Sequence, residues 1–410
     1  MNASITYVDH PTANMPLAGI TVLDFGQIYL GPYCGFLMAK AGAKVIKIEP
    51  PKTGEQARKR IEVNLGASLP FEMLNANKQS ITINLKTEEG RQLLKDLVKR
   101  ADVLIENFTP GVMDRLGVGW TVLHEINPRL VYGSATGYGL SGPDRDKLAV
   151  DLTIQAASGI MASTGFPDGP PVKAGPAVVD FMGGIHLYAA IMTALVERSR
   201  TGIGRLVEIS MLETVYPTLS STLGLLYEKG DDAAMRTGNR HSGLAVTPYN
   251  VYSAIDGYVA IICVQESHWQ NLLTAMGRED LRGNQKFETH ATRCENLDET
   301  DAIVEAWTSK LTRAELFETA KRHRVPCAPV REVTEVVNDE HMHARGMLQR
   351  VKHSTLGNVV MANSPLRVHG ADSLAFQPAP KLGADNQQIY GDLLGRTTQE
   401  LEEYARSGAI

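Results

Sequence analysis

Residues 16–51 are PLAGITVLDFGQIYLGPYCGFLMAKAGAKVIKIEPP, and their pattern indicates the fold class. The apolar run at 20–25 predicts a strand, and the glycine-bearing segment 26–31 predicts a loop. A helical stretch follows at 33–41, and Gly42 ends it. The run at 44–48 predicts a second strand. A strand, a helix and a second strand in this order are typical of parallel strands joined by a right-handed crossover.

The same alternation continues outward from this stretch. It predicts strands at 80–85, 103–105, 130–135 and 206–210, with a helix at 86–100. We therefore predict an α/β protein with a doubly wound, mostly parallel sheet. In such sheets ligands bind beyond the carboxyl ends of the strands. That rule selects four loops as candidate binding segments: 26–32, 49–52, 107–111 and 136–143.

The pattern changes after about residue 220, where a smaller α+β domain is predicted. Two β-rich runs, 249–253 and 258–264, flank Ile255-Asp256-Gly257, which is a hairpin signal. Further helices are predicted at 266–275, 297–310, 313–324 and 398–406. We assign 1–220 and 346–410 to the large domain and 235–340 to the small one. Extended linkers are expected at about 220–236 and 330–361.

Composition limits the classes of partner. The 410 residues are 43% hydrophobic and 21% charged, with a net charge of -5, which predicts a soluble globular protein without a nucleic-acid or membrane partner. The four cysteines show no CxxC spacing, so we expect no disulfide framework, no metal site and a cytoplasmic location. Residues 1–16 lack the features of a secretory signal. The apolar run 185–196 is too short to span a bilayer and predicts a buried helix.

One aspartate lies in the most glycine-rich part of the chain. Residues 130–185 hold ten of the 37 glycines, about twice the average density, and they include Asp168 in the sequence Pro-Asp-Gly. Such an aspartate is by default a turn residue. Asp151, at the start of a predicted helix 152–162, Asp180, as a helix N-cap, and Glu266 are the competing acids. The residues alone leave open which of them is catalytic.

Cations near strand ends suggest an anionic ligand. Lys78, Lys86 and Arg115 lie at or near predicted strand ends, where they could meet the phosphates of a nucleotide-like ligand, although each could equally be a solvated surface charge. The glycines at 26, 31 and 35 do not match GxGxxG, which argues against a nicotinamide oxidoreductase.

Ten segments in order resemble the family III CoA-transferases, the formyl-CoA and carnitine/bile-acid CoA-transferase group, from about Pro16 onward. They are PLAGITVLDF (16–25), GAKVIKIEPP (42–51), NANKQSITINLKT (75–87), ADVLIENFTPGVMDRLG (101–117), NPRLVYGSATGYGLSGP (127–143), IQAASGIMASTGFPDGPPVK (154–173), GRLVEISMLE (204–213), TGNRHSGLAVTPYNVY (237–252), VPCAPV (325–330) and PKLGADN (380–386).

The resemblance implies a CoA-transferase that moves CoA from an acyl-CoA donor to a small carboxylic acid, with a dicarboxylic acid favoured. The thioester is the substrate, and no permanently bound cofactor is implied. Asp168 matches the family's nucleophile, which forms an aspartyl anhydride and then an aspartyl-CoA thioester. The family's large domain is Rossmann-like, and its members form interlocked homodimers. Both are expected here.

The resemblance also assigns binding roles. CoA would be contacted by Ile83, Lys86, Asn107, Phe108 and Arg115. The glycines of Gly137-Tyr138-Gly139, together with Gly238, would close over the site and stabilise oxyanions, and Gly169 would let the backbone pass the aspartyl carbonyl. Arg240 either pairs with the distal carboxylate of a dicarboxylic acid or is structural. Pro50 and Tyr29 replace an arginine and a glutamine of the formyl-CoA members, which argues against formyl-CoA specificity.

Two alternatives remain from the sequence. An α-methylacyl-CoA racemase of the same fold family would need a histidine just before the aspartate at position 151, where this chain has Val150. A non-catalytic CoA-binding protein would have no use for a carboxylate at position 168.

Overall fold

The computed structural model describes residues 14–59 and 66–410, so residues 1–13, which carry most of the argument about a secretory signal, lie outside the described part. The chain forms two compact units. The first unit comprises the described residues up to Ile154, together with Ala177–Thr214 and Asp339–Ile410, and the second comprises Gln155–Pro176 and Val215–Asn338. Residues 155–176 and 215–220, which the sequence predicts to be in the large domain, thus belong to the second unit.

The strands of the described residues begin and end as follows: β1 Thr21–Asp24, β2 Lys44–Glu49, β3 Gln79–Thr82, β4 Val103–Glu106, β5 Val131–Thr136, β6 Leu206–Ser210, β7 Tyr249–Ala254, β8 Gly257–Ile262, β9 Cys327–Pro329, β10 Leu348–His353 and β11 Gly357–Ala362.

The α-helices of the same residues are α1 Leu30–Lys40, α2 Leu69–Leu74, α3 Glu88–Val98, α4 Val112–Arg115, α5 Trp120–Ile126, α6 Asp151–Ala157, α7 Ile160–Ser163, α8 Val178–Thr201, α9 Met211–Val215, α10 Ser220–Lys229, α11 Glu266–Met276, α12 His290–Glu295, α13 Leu297–Thr308, α14 Arg313–Arg322, α15 Val333–Val336, α16 Glu340–Ala344, α17 Asn386–Leu394 and α18 Thr398–Ser407.

A six-stranded parallel sheet is the centre of the first unit, so the mixed α/β fold is confirmed. Its order is β3-β2-β1-β4-β5-β6, and every pairing is parallel. From β1 the chain adds β2 and β3 on one side of the sheet, and from β4 it adds β5 and β6 on the other side. The strand order therefore reverses between β1 and β4. A crevice opens at such a switch point, beyond the carboxyl ends of these two strands.

The β3 edge of this sheet is covered by a segment distant in sequence. Asp385 accepts a hydrogen bond from the Ser80 amide at 2.7 Å, and Asn386 accepts one from the Thr82 amide at 2.9 Å. The Tyr390 hydroxyl donates to the Thr82 carbonyl at 2.8 Å. The C-terminal segment also binds the chain just after β3, since the Asn84 amide donates to the Ala409 carbonyl. The outward backbone groups of an edge strand are thereby satisfied, which blocks pairing with another chain.

Helix α8 corrects one prediction. It is 24 residues long, twice the apolar run from which it was predicted, and it packs on α1, β5 and β6. Ile185 and Val196 are 48% and 66% exposed, so the expected burial holds for only one face. Within the described residues α8 is the one helix long and apolar enough to cross a membrane, a property that core helices of globular proteins share.

The second unit has a core of its own around an antiparallel sheet in the order β7-β8-β9. The hairpin prediction is confirmed, since Ala254 pairs with Gly257 across the turn at Ile255-Asp256. Trp269, Tyr252 and Leu316 are buried in this core.

Three segments differ from their predicted structure. The helix predicted at 152–162 is split into α6 and α7, because Gly159 adopts the left-handed conformation with φ of 90°. The two expected linkers are not extended: α10 lies in 220–236, and α15, α16 and the β10–β11 hairpin occupy most of 330–361.

Candidate functional site

A cavity of about 380 Å³ lies in the first unit at the switch point of the sheet. Its walls are the segments that follow β1, β4 and β5, and it also takes in residues near the start of α6 and α8. The lining residues are 27–30, 107–110, 135–137, 147, 149–151, 177, 180 and 211. Four predicted site residues are thereby brought together: Tyr29, Asn107, Phe108 and Gly137. Of the four candidate loops, 49–52 does not line the cavity.

The loop after β1 is fixed by side chains from other segments. Asn107 accepts a hydrogen bond from the Gln27 amide at 2.7 Å and donates one to the Gln27 carbonyl at 3.1 Å. Asp24 accepts from the Gly26 amide at 2.7 Å, and the Lys47 ammonium donates to the Gly26 carbonyl. The side-chain amide of Asn107, which the resemblance places beside adenine, is thus engaged in holding this loop.

The next residue of the loop, Ile28, has an unusual backbone conformation. Its φ is 65°, and it is the one β-branched residue with a positive φ in the described part of the chain. Such a conformation costs about 1–3 kcal/mol for a non-glycine residue and persists only where the surroundings enforce it. The Ile28 amide donates to Oε2 of Glu55 at 3.0 Å. Glu55 is therefore one of the groups that enforce it.

Lys78 does not have the phosphate-binding role considered from its position. Its ammonium group is fully buried and lies 2.7 Å from Asp24 Oδ2, and it also donates to the Pro32 carbonyl and to Asn75. Burial alone would raise the pKa of Asp24, but Lys78 and Lys47 together hold it below its usual value. The Asp24–Lys78 pair holds the loop after β1 through the Gly26 amide and the Pro32 carbonyl.

Asp180 departs from its expected role, whereas Asp151 lies at the start of α6, as predicted. Asp180 is not the N-cap of α8, since that position is Ala177 and Asp180 lies in the first turn. Oδ2 of Asp151 accepts hydrogen bonds from the amides of Val179 and Asp180, at 2.9 and 3.1 Å. A carboxylate in this place satisfies otherwise unpaired helix amides and interacts favourably with the helix dipole. Asp151 is thus tied to the start of α8.

The other predicted CoA contacts do not line the cavity. Ile83 is 3% exposed and packs in the main core of the first unit, so its side chain offers almost no surface to a ligand. Lys86, in the loop after β3, and Arg115, at the end of α4, are both exposed. They remain accessible to a ligand that extends beyond the cavity.

In the second unit, Asp168 lies on a tight turn. The Gly169 amide donates to the Phe166 carbonyl at 3.1 Å, which makes Pro167 and Asp168 the two central residues of a β-turn. Asp168 is exposed, and Phe166 is 65% exposed. The turn is held by Arg236, whose guanidinium donates to the carbonyls of Phe166 and Ala162. The sequence Pro-Asp-Gly thus forms the expected turn and presents a carboxylate to solvent.

The segment containing Gly238 lies against this turn. The Gly238 amide donates to the Gly165 carbonyl at 3.0 Å, and a Cβ at position 238, where φ is 65°, would lie 3.0 Å from the Phe166 ring. Arg240 is held by Asp298 and Asp301, each at 2.7 Å. These two ion pairs favour the structural alternative for Arg240.

Two of the glycines expected to stabilise an oxyanion have amides that are already engaged. The Gly238 amide has the bond just described, and the Gly139 amide donates to the Thr136 hydroxyl at 2.9 Å. The ring of Tyr138, between the two predicted glycines, has the Lys147 ammonium 6.0 Å from its centre. Gly137 remains in the cavity wall, where a Cβ would lie 2.0 Å from that of Ala149. Close packing therefore requires glycine at position 137.

Comparison with known proteins identifies the family. Residues 17–386 match the model of CoA-transferase family III. The chain belongs to CoA-transferase family III. It is 36% identical to the formyl-CoA:oxalate CoA-transferase of Streptomyces coelicolor, over 96% of this chain and 99% of that protein. It is 35% identical to the succinyl-CoA–D-citramalate CoA-transferase of Chloroflexus aurantiacus, over 94% and 96%.

The fold of this CoA-transferase is also that of solved relatives. A CAIB/BAIF family protein from Brucella suis superposes with a TM-score of 0.79 at 33% identity, covering 93% of this chain and all of that one. The protein is thus an enzyme of the acyl-CoA:carboxylate CoA-transfer class. The curated relatives are named for different acids, so the family alone does not give its acceptor.

Sequence reasoning missed a cation in the cavity of this CoA-transferase. Lys147 lines the cavity and pairs with Asp144 at 2.8 Å, and the hydrogen bond to Asp144 raises the pKa of the lysine. The side chain is exposed, so the pair is weak. Its place just beyond the predicted loop 136–143 was the available signal.

Proposed function

We propose that this CoA-transferase transfers CoA from an acyl-CoA donor to a small carboxylic acid with the Asp168 carboxylate as nucleophile. The observation that carries the proposal is the exposed carboxylate of Asp168 on a turn held by its neighbours, in a chain of this family. A carboxylate is ionised at neutral pH and needs no general base, unlike a serine or a thiol.

In the first half of the reaction the carboxylate oxygen of Asp168 forms a bond to the thioester carbon, and the carbon–sulfur bond breaks. The products are a mixed aspartyl anhydride and the CoA thiolate. The thiolate then attacks the aspartyl carbonyl of the anhydride and displaces the donor acid as its carboxylate. The enzyme now carries a β-aspartyl-CoA thioester, and no proton or water has been consumed.

In the second half the acceptor carboxylate attacks the aspartyl thioester and expels the CoA thiolate again, which gives a new mixed anhydride. The thiolate attacks the acceptor's acyl carbon, releasing the new acyl-CoA and regenerating the Asp168 carboxylate. Each attack creates an oxyanion that preorganised amides would stabilise. Gly137 is our candidate, because the Gly139 and Gly238 amides have other partners.

We propose a small dicarboxylic acid as acceptor. Relatives of this chain are named for oxalate, D-citramalate and L-malate, which are all dicarboxylates. A cation within reach of the second carboxylate would favour such acids. Lys147 lines the cavity and could serve, whereas Arg240 already has two carboxylate partners. A screen of acceptor acids with succinyl-CoA and acetyl-CoA as donors tests this choice.

We propose that the CoA moiety is held by the first unit. Asn107 and Phe108 line the cavity, and the exposed cations Lys86 and Arg115 can meet phosphates that project from it. Charge reversal at either cation should weaken CoA binding, measured by calorimetry. An unchanged affinity in both Lys86→Glu and Arg115→Glu would exclude them.

The nucleophile is tested by trapping. Incubation with an acyl-CoA and then hydroxylamine or borohydride should modify Asp168, as located by peptide mass spectrometry. Asp168→Ala should reduce CoA exchange by roughly 10³-fold or more while still binding CoA. Asp146→Ala is the matched control, because it removes another exposed aspartate that the proposal does not use.

Undiminished exchange in Asp168→Ala would overturn the assignment of the nucleophile. Exchange of the acyl α-proton without CoA transfer would instead indicate racemase chemistry.

We also propose a cytoplasmic homodimer. The exposed apolar side chains of α8, including Ile185 and Val196, form a surface that a partner could cover. One relative is named as a beta subunit, so light scattering of the purified protein must distinguish a homodimer from a monomer that needs a second chain.

A further inference from the structure

The cavity wall contains a backbone conformation that its own sequence does not favour. Ile28 lines the cavity with a φ of 65°, a region that β-branched residues avoid. Its neighbours in the chain, Gln27 and Tyr29, line the same wall. The shape of the wall therefore depends on whatever holds Ile28 in place.

Glu55 is placed to do this without touching the cavity. Its Oε2 accepts the Ile28 amide at 3.0 Å, and Glu55 is not among the lining residues. It is 1% exposed, and its Oε1 has no hydrogen-bond partner in the described part of the chain. The Lys47 ammonium lies 3.6 Å from Oε2. A buried carboxylate is thus aimed at one loop amide and one cation.

Glu55 is itself held in place by a further carboxylate. The Glu55 amide donates to Oε2 of Glu49 at 3.1 Å, and Arg58 binds Glu49 through two hydrogen bonds at 2.6 and 2.7 Å. Ser80 donates to the other oxygen of Glu49. The position of Glu55 is therefore fixed by β2 and β3, which are parts of the rigid sheet.

We propose that Glu55 is a positioning residue that holds Ile28 in its left-handed conformation and thereby sets which acyl groups the cavity accepts. This inference rests on the proposed function in taking the cavity as the place where an acyl-CoA binds. It adds that selectivity depends on a residue that no substrate contacts.

The test measures binding in an Asp168→Ala background, so that no covalent step follows. CoA, acetyl-CoA and succinyl-CoA are titrated calorimetrically, and the readout is the ratio of their Kd values. Glu55→Ala removes the acceptor. Glu55→Gln keeps an oxygen for the Ile28 amide. Ile28→Pro removes the amide hydrogen and forces a negative φ, and it leaves Glu55 in place as the partner of Lys47.

Two further variants complete the design. Ile28→Gly removes the penalty for a positive φ, and it is combined with Glu55→Ala to ask whether glycine restores the loop. Asp102→Ala is the matched control, because it deletes another carboxylate that accepts a backbone amide, at Thr21, the end of β1 away from the cavity.

We expect Glu55→Ala and Ile28→Pro to change the ratio of Kd values at least fivefold. Glu55→Gln and Asp102→Ala should stay within twofold of the background. The double variant should match Ile28→Gly. An unchanged ratio in folded Glu55→Ala overturns the proposal, and if that variant does not fold, an unchanged ratio in Ile28→Pro does so.

This outcome is independent of the nucleophile. If Asp168→Ala alone retains exchange, the proposed mechanism fails, while the Kd ratios still decide the role of Glu55. If the Asp168→Ala protein binds CoA but neither acyl-CoA, the cavity is not the acyl-CoA site. The inference is then overturned together with the assignment of the cavity.

Discussion

The two units present their functional groups in opposite ways. In the first unit the cavity loop is fixed by buried side chains, including the fully buried pair of Asp24 and Lys78. In the second unit Asp168 lies on an exposed turn held mainly by backbone hydrogen bonds and Arg236. The cavity that we propose for the substrate is thus supported by the buried core of one unit, whereas the proposed nucleophile lies at the surface of the other. Substitutions in the buried supports of the first unit should therefore lower stability, whereas substitutions at the exposed turn of the second should leave stability nearly unchanged.

The largest stability effect is expected at the buried pair. Asp24→Asn leaves the Lys78 ammonium buried without its counter-charge, which should lower the free energy of unfolding by about 3–5 kcal/mol. Urea denaturation measures this loss. Adding Lys78→Met should recover part of it. A loss below about 1 kcal/mol in the single variant would show that the Asp24–Lys78 pair does not stabilise the cavity loop.

A second effect depends on pH. Burial raises the pKa of Glu106, at the end of β4, from 4.5 to about 7. Between these values the unfolded chain ionises while the folded protein stays protonated, so stability falls as pH rises, by up to about 3 kcal/mol. Glu106→Gln should escape this loss. Its advantage in urea denaturation should be larger at pH 8 than at pH 4.5, and an equal advantage would refute the shifted pKa.

A smaller effect is expected at Gly137 in the cavity wall. In Gly137→Ala the new Cβ would overlap with Ala149, 2.0 Å away, and the wall would have to shift. Such overpacking usually costs about 1–3 kcal/mol. Thermal unfolding should show the loss, and an unchanged melting temperature would indicate a looser wall than the structure has.

The smallest stability effect is expected at Gly169, beside the proposed nucleophile. A Cβ there meets one atom, the Phe166 carbonyl oxygen, at 3.6 Å, which is ordinary contact. Gly169→Ala should change the unfolding free energy by less than about 0.5 kcal/mol. The protein chain alone therefore gives no support to the expected need for a bare backbone at this position. If Gly169→Ala is stable but exchanges CoA more slowly, the need for glycine at this position comes from the bound substrate.

The sheet was predictable because short β-rich segments alternate with helical stretches, and β1 and β4 in particular are apolar and buried along almost their whole length, as parallel strands covered on both faces are. The predicted strand at 206–210 agrees with β6 at both ends. The rule that ligands bind beyond the carboxyl ends of strands selected three of the loops that line the cavity, 26–32, 107–111 and 136–143. The turn at Asp168 followed from Pro-Asp-Gly.

Other features depend on contacts between distant residues. Nothing local marks Glu55 as the partner of Ile28, or Asp151 as the acceptor of two α8 amides. Lys78 looked like a phosphate ligand because its partner Asp24 is 54 residues away in sequence. The exposed face of α8 was missed because composition does not distinguish a helix buried on one side from one buried on all sides.

The covering of β3 has a consequence for the order of events during synthesis. Ser80 and Asp385 are 305 residues apart, so the ribosome makes the sheet edge long before the residues that cover it. The whole second unit emerges in between. Until residues 385–409 leave the exit tunnel, the β3 edge is open to strands of neighbouring nascent chains. A nascent chain therefore exposes this edge for as long as the following 305 residues take to be synthesised.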